Sequence, residues 1–338
     1  MADFESRNIL VTGGAGFIGS NYVRYMLAKY PQVKVINLDK LTYAGSMDNL
    51  RGLPDKTRHH FVQGDICDRD LIAKLLEDHQ IDSIVHFAAE SHVDRSISGP
   101  DEFIQTNVIG TFVLLEAARA YWQNVNGLDS KQCRFHHIST DEVFGTLSAS
   151  DSAFKETTAY APNSPYSASK ASSDHLVRAW HHTYGLPVTT SNCSNNYGPC
   201  QHAEKFIPTV IAACQQQKKI PIYGDGSNIR DWLFVEDHCS GIDAVMRRGR
   251  PGETYNIGGI NEWANIEICR LICELMDSHN PDGAPHMKLI SFVCDRPGHD
   301  WRYAINAEKI AKEIGWQPRE TFETGIAKTV EKLCIAEA

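Results

Sequence analysis

Apolar residues fall into short runs separated by longer stretches with helical spacing. Asn8–Thr12 (NILVT) ends at a glycine cluster, which predicts a buried strand entering a turn. Ile18–Lys29 then repeats apolar residues at helical spacing, and Val33–Leu38 forms the next run, closing at Asp39. Further runs at Phe61–Val62, Ile84–Phe87, Phe135–Ile138 and Val188–Asn192 alternate with helical stretches near 70–79, 101–122 and 166–184. This alternation predicts an α/β fold of Rossmann type, built on a doubly wound parallel sheet.

Beyond Gly198 the pattern turns irregular. Short strands at Ile220–Tyr223, Thr254–Ile257 and Lys288–Phe292 interleave with helices at 206–217, 237–247, 265–277 and 307–314. The reading is a Rossmann domain over 1–198 and a smaller mixed α/β substrate-binding lobe, mainly 199–338, whose segments can interleave. Neither a repeat nor a low-complexity tract interrupts it.

Composition narrows the functional classes. Of 338 residues, 42% are hydrophobic and 22% charged, the mix of a globular protein with a substantial core. A formal charge of -9 argues against nucleic acid or an anionic membrane as partner, and leaves an anionic substrate dependent on a local basic cluster. The ten cysteines are scattered without a CxxC pair, so buried free thiols are expected rather than a disulfide framework. The chain enters its first strand without a basic and apolar leader and has no run of transmembrane length, which reads as cytoplasmic.

Thr12-Gly13-Gly14-Ala15-Gly16-Phe17-Ile18-Gly19 lies between the first strand and the first helix. Its glycines allow a tight turn and close backbone approach to a pyrophosphate at a helix N-terminus. Asp39 follows Gly19 by twenty residues, at the end of the second strand, where a carboxylate accepts from ribose hydroxyls and repels a 2′-phosphate. NAD is therefore preferred over NADP, with Lys40 as the one opposing charge. Asp65, with Ile66, follows the third strand and is in reach of the adenine amino group. Phe87, Ala88, Ala89 and Ser91 end the fourth, where small residues admit a cofactor.

Ser164-Pro165-Tyr166-Ser167-Ala168-Ser169-Lys170 reads as a capped helix start with Tyr166 and Lys170 on one face. A nearby ammonium and a positive nicotinamide ring are expected to lower the phenol pKa, so that Tyr166 accepts a proton as hydride leaves the same carbon. After strand Phe135–Ile138 come Thr140, Asp141 and Glu142, at the end of a strand where ligands of open α/β sheets bind. Two neighbouring carboxyls offer an acid and a base if their surroundings separate their pKa values, and removal of water needs both.

These residues, with LDKLTYAG at 38–45, AAESHVDRSI at 88–97, SNNYGP at 194–199, PIYGDG at 221–226, IRDWLFVEDH at 229–238 and DRPGHDWRYAI at 295–305, resemble the dTDP-glucose 4,6-dehydratase family of extended short-chain dehydrogenases/reductases. The resemblance runs from about residue 8 to beyond 310. It implies a three-stage reaction on a sugar nucleotide: Tyr166, with Lys170 and Thr140, opens an oxidation at C4; Glu142 and Asp141 eliminate water across C5 and C6; hydride returns from the cofactor to C6. It implies further cofactor contacts at Leu41, Thr42, Thr106 and Asn196. For dTDP-glucose or a close NDP-hexose it implies contacts at Ser91, Thr140, Asn195, Lys205, Phe206, Ile222, Tyr223, Arg230, Asn265, Arg296 and His299. It also implies a homodimer through helices between Phe103 and Leu115. Two departures stand out: Phe144 where the family has tyrosine, and Trp301 where an arginine is common.

The adjacent histidine pairs 59–60, 136–137 and 181–182 point apart on strands or helices, and no metal is expected. A sugar-nucleotide epimerase or decarboxylase shares the NAD and Tyr/Lys machinery but has no use for Asp141 beside Glu142. Another NDP-hexose dehydratase stays open, as does an NAD-sensing binding protein on the same scaffold.

Overall fold

The computed structural model describes residues 3–128, 131–295 and 300–335. The first half lays down β1 (Asn8–Thr12), α1 (Phe17–Lys29), β2 (Lys34–Asp39), β3 (His59–Gln63), α2 (Arg69–Asp78), β4 (Ser83–His86), α3 (Val93–Ser98) and α4 (Pro100–Phe103). It continues through α5 (Thr111–Arg119), β5 (Arg134–Thr140), α6 (Pro165–Tyr184) and β6 (Val188–Cys193). The second half adds β7 (Asn195–Tyr197), α7 (Phe206–Gln215), β8 (Ile220–Tyr223), β9 (Ile229–Phe234), α8 (Val235–Arg248) and β10 (Thr254–Ile257). The chain closes with β11 (Glu262–Ala264), α9 (Asn265–His279), β12 (Ile290–Val293), α10 (Glu308–Ile314) and α11 (Phe322–Ile335).

Seven strands form a parallel sheet in the order β10-β6-β5-β4-β1-β2-β3. Both faces are covered, so its strands are apolar on alternate residues in both directions. Ile9 and Val11 join a core with α1 and α8, whereas Leu10 faces a second core with α2, α5 and α6. The smaller lobe holds a three-stranded sheet, β11-β9-β7, and a parallel β8–β12 pair. Its core gathers Tyr197, Ile207, Trp232, Ile272 and Phe322.

The main sheet differs from the sequence reading at its edge. Thr254–Ile257, expected in the smaller lobe, pairs parallel with β6 and completes the main sheet, and α8 packs against that sheet. The helix expected over 101–122 is present, its backbone helical throughout, and it carries wide π turns at Ile104–Gly110 and Ala120–Val125. Such turns recur at functional sites. Here the first leaves Thr106 on the central cleft and Asn107 buried, bonding Glu90 and Ser169.

Candidate active site

A cleft of about 630 Å³ runs along the carboxyl ends of β1, β2, β4, β5 and β6 and under the smaller lobe. At its cofactor end the turn after β1 is shaped by close contacts. Gly13 has φ +73° and lies so near the chain at residue 88 that a Cβ there would sit 2.6 Å from the Ala88 nitrogen. A Cβ on Gly19 would sit 2.2 Å from the Gly13 carbonyl oxygen. No side chain caps α1, so its first-turn amides are left for a ligand. Asn196, also on the cleft, has a buried Oδ1 without a hydrogen-bond partner. The cradle and these free polar groups fit the expected dinucleotide.

Asp39 lines the same end and has a structural task too. Its carboxylate accepts from the Ala15 amide and from the Leu41 amide, each at 2.8 Å, tying the glycine turn to the end of β2. Lys40 pairs with Asp65 at 2.8 Å, so the charge that opposed an NAD preference is neutralised by a neighbour. The Leu41 side chain packs against the core, at a backbone φ of 56°. Gly16, Phe17, Ile18, Thr42, Ile66, Phe87, Ala88, Ala89, Ser91 and Thr106 do line it.

The chemical end is assembled by β5 and α6. Ser164 caps α6 in a reciprocal box with Ser167, and Pro165 occupies the first turn, so the helix starts where the sequence placed it. Tyr166 and Lys170 both line the cleft and both are buried. Lys170 donates to the Ile138 carbonyl at 2.8 Å. The expected lowering of the Tyr166 pKa is not found in the protein alone. Burial first, then the charge of Glu142, push the phenol well above its ordinary value, and a hydrogen bond with Thr140 only partly opposes them. Burial lowers the pKa of Lys170, against the opposing charge of Asp174.

Thr140 ends β5 and caps the turn Asp141–Phe144, accepting from the Glu142 amide at 3.2 Å. Asp141 is 2% exposed, and its Oδ2 has no hydrogen-bond partner. Burial, the Glu142 charge and the Asp231 charge together hold its pKa well above the usual carboxylate range. Glu142 is only half-buried and lines the cleft beside it. The pair therefore presents one carboxyl that keeps its proton and a neighbour in a wetter setting. Phe144, the first departure from the family pattern, stacks on Phe154 at 5.1 Å and packs edge-on to Tyr160.

The smaller lobe brings Asn195, Lys205, Phe206, Ile222, Tyr223, Arg230 and Asn265 to the opposite wall. Lys205 and Phe206 open α7, which has no side-chain cap. Arg230 donates to the carbonyls of Ile229, Asp300 and Trp301 and lies 4.4 Å from the centre of the Tyr303 ring. Arg296 and His299 lie outside the described residues. Three cleft or near-cleft residues carry no local spacing that marks them in the sequence. Asp300 and Tyr303 line the wall beneath Arg230 and bond each other. Asp231 is 1% exposed, and burial raises its carboxyl to about 6. Among the described residues no group of three His, Cys, Asp or Glu side chains is placed to hold a metal ion.

Comparison with known proteins identifies the family. A dTDP-glucose 4,6-dehydratase of Xanthomonas campestris pv. campestris is 57% identical over 324 residues, covering 95% of this chain and 92% of that one. One from Escherichia coli K12 is 56% identical over 331 residues, covering 96% and 91%. The crystal structure of a Streptomyces venezuelae dTDP-glucose 4,6-dehydratase, solved with NAD and TDP bound, superposes with a TM-score of 0.88 at 45% identity, covering 98% and 97%. A UDP-glucose 4-epimerase from Thermotoga maritima superposes almost as well, TM-score 0.87 over 98% and 100%, but at 27% identity, so the shared fold does not by itself separate the two activities. Residues 10–329 match the family model described as GDP-mannose 4,6 dehydratase. With identities above half over nearly the whole chain, the protein belongs to the nucleotide-sugar 4,6-dehydratase family, among the dTDP-glucose 4,6-dehydratases.

Proposed function

We propose that the chain converts dTDP-glucose into dTDP-4-keto-6-deoxyglucose and water, using one retained NAD. The observation that carries this reading is the buried, proton-holding Asp141 beside the half-buried Glu142, in the same cleft as Tyr166. Bound NAD supplies a hydride acceptor at C4 and a hydride donor at C6. Tyr166, as the phenolate that the Lys170 ammonium and a positive nicotinamide ring would favour, takes the proton of the C4 hydroxyl, with Thr140 bonded to its phenol oxygen and Lys170 one helical turn behind. The resulting 4-keto group acidifies the C5 hydrogen, which Glu142 removes. Asp141 gives its proton to the departing C6 oxygen, so that water leaves. Glu142 then returns a proton to C5 as C6 is reduced.

Lys205 and Arg230 hold the diphosphate against a globally acidic protein. Arg230 is preset by its three backbone carbonyls and the Tyr303 ring, so little order has to be imposed when substrate binds. The active species is a homodimer, a reading favoured by Ile104 and Ile109, exposed between α4 and α5. No described helix is long and apolar enough to cross a membrane, and we place the enzyme in the cytoplasm.

Incubation of the purified protein with dTDP-glucose and no added reductant tests the reaction. A 4-keto-6-deoxy product supports it; a C4 epimer, or faster turnover of UDP-glucose, refutes it.

A further inference from the structure

Four residues beyond Lys170 on the same face of α6, Asp174 is buried at 6% exposure with both oxygens engaged. His137 Nε2 lies 3.0 Å from Oδ1, while Ser139 Oγ at 2.7 Å and the Tyr160 hydroxyl at 2.9 Å donate to Oδ2. His137 and Ser139 flank Ile138, whose carbonyl accepts from Lys170. Thr140, Asp141 and Glu142 follow directly. One carboxylate thus joins the helix that carries Tyr166 and Lys170 to the strand end that carries the other three catalytic groups. The proposed reaction draws on none of its atoms.

We propose that Asp174 is a positioning residue for this reaction: its buried carboxylate keeps Lys170 in the ammonium form and fixes the end of β5 against α6. The inference rests on Tyr166 and Lys170 acting as proposed above. Lys170 is enclosed, and burial disfavours its charge; Asp174 is the leading influence in the opposite direction, followed by Cys193 on β6. The other groups around Asp174 do not replace it. His137 and, beyond it, His86 on β4 are held neutral by burial, and Tyr160 keeps its proton. Burial raises the Asp174 carboxyl to about 6, against the charge of Lys170, the hydrogen bonds from Ser139 and Tyr160 and the influence of His175, next on α6. It is therefore ionised at neutral pH.

Asp174→Asn removes the charge with little change of shape. The amide oxygen can accept from Ser139 and Tyr160, and the amide nitrogen can donate to His137 Nε2 once that ring carries its proton on Nδ1, an atom with no partner at present. Lys170 then loses its counter-charge. The expected result for the holoenzyme with dTDP-glucose is a kcat lower by about tenfold and an alkaline limb of the kcat–pH profile displaced downward by about one unit, with KM within about twofold. Ser139→Ala loosens the strand but keeps the carboxylate, so its alkaline limb stays in place. A superimposable profile for Asp174→Asn, or an equal displacement in Ser139→Ala, overturns the proposal.

If Asp174→Asn does not fold, Tyr160→Phe takes its place. The carboxylate loses one donor and protonates at higher pH, so the acid limb moves up; an unmoved limb overturns the proposal. Titration of Lys170 by NMR, with isotope-labelled lysine assigned through Lys170→Arg, needs no substrate. A midpoint lower in Asp174→Asn than in the parent supports the inference, and an unchanged midpoint refutes it. Failure of the parent to turn over dTDP-glucose refutes only the function.

Discussion

The charge of Glu142 raises the proton affinity of its neighbour Asp141, second only to burial among the causes. Adjacent in sequence, the two carboxyls meet different surroundings: Asp141 is 2% exposed, and Glu142 is half-buried on the cleft wall. A buried carboxyl that keeps its proton beside a half-buried neighbour on the cleft wall is the division that acid–base elimination requires. Oxidation alone would need no such pair.

Asp141→Asn keeps the shape and removes the proton to be donated. Water elimination should slow by about 10²–10⁴-fold, the usual contribution of a general acid, while C4 oxidation continues. In a single turnover the absorbance of reduced nicotinamide should then build up and persist; equal loss of oxidation and elimination would show that Asp141 does not have this role. The same variant bears on stability. A carboxyl whose pKa is raised in the fold stabilises it below the unfolded pKa and loses that contribution as pH rises through the folded pKa. Asp141→Asn should therefore melt no lower than the parent at pH 8.

Gly13→Ala tests the cofactor cradle. The residue has φ +73°, and the added methyl would meet backbone at Ala88, which no rotamer can relieve. Purified variant should carry less bound NAD and lose about 1–3 kcal/mol of stability in denaturant titration. NAD content equal to the parent's would mean that the turn is not the pyrophosphate site.

Arg230→Lys keeps a charge but cannot reproduce the fork to three carbonyls or the stacking on Tyr303. With charge-assisted hydrogen bonds worth roughly 1.5–3 kcal/mol, KM for dTDP-glucose should rise about tenfold or more. An unchanged KM would place the diphosphate elsewhere.

His238 on α8 is fully buried with neither ring nitrogen bonded, and burial lowers its pKa to about 3. Its folded pKa lies below the unfolded value near 6.5, so the unfolded chain takes up a proton first as pH falls. Stability is lost from pH 6.5 down toward 3, at about 1.4 kcal/mol per unit for this residue. His238→Leu should flatten the dependence of unfolding free energy on pH over that window. Parallel curves for variant and parent would show that the ring titrates normally.

Much of this was legible in the sequence because it is encoded locally. The run into Gly13–Gly19 and the Ser164–Pro165 start of α6 each specify an element and its chemistry within a few residues. What depends on distant partners was not. Three-residue strands such as β7 and β11 have no periodicity of their own and exist because β9 pairs with both. Thr254–Ile257 reads alike as an edge of either sheet until β6 claims it. The stripe Phe322, Ile326 and Val330 does have helical spacing, and it marks α11 once read. The rise in the Tyr166 pKa follows from enclosure and from Glu142, neither of which the Tyr-x-x-x-Lys spacing reveals.

The proposed reaction is an internal redox cycle, in which the hydrogen removed at C4 is the one delivered to C6. The most direct measurement is turnover of dTDP-glucose carrying deuterium at C4, mixed with unlabelled substrate, followed by mass and NMR analysis of the product. Deuterium is expected at C6 of the same molecules that entered labelled, with none lost to water. Deuterium found in solvent, retained at C4, or scrambled among product molecules would contradict it.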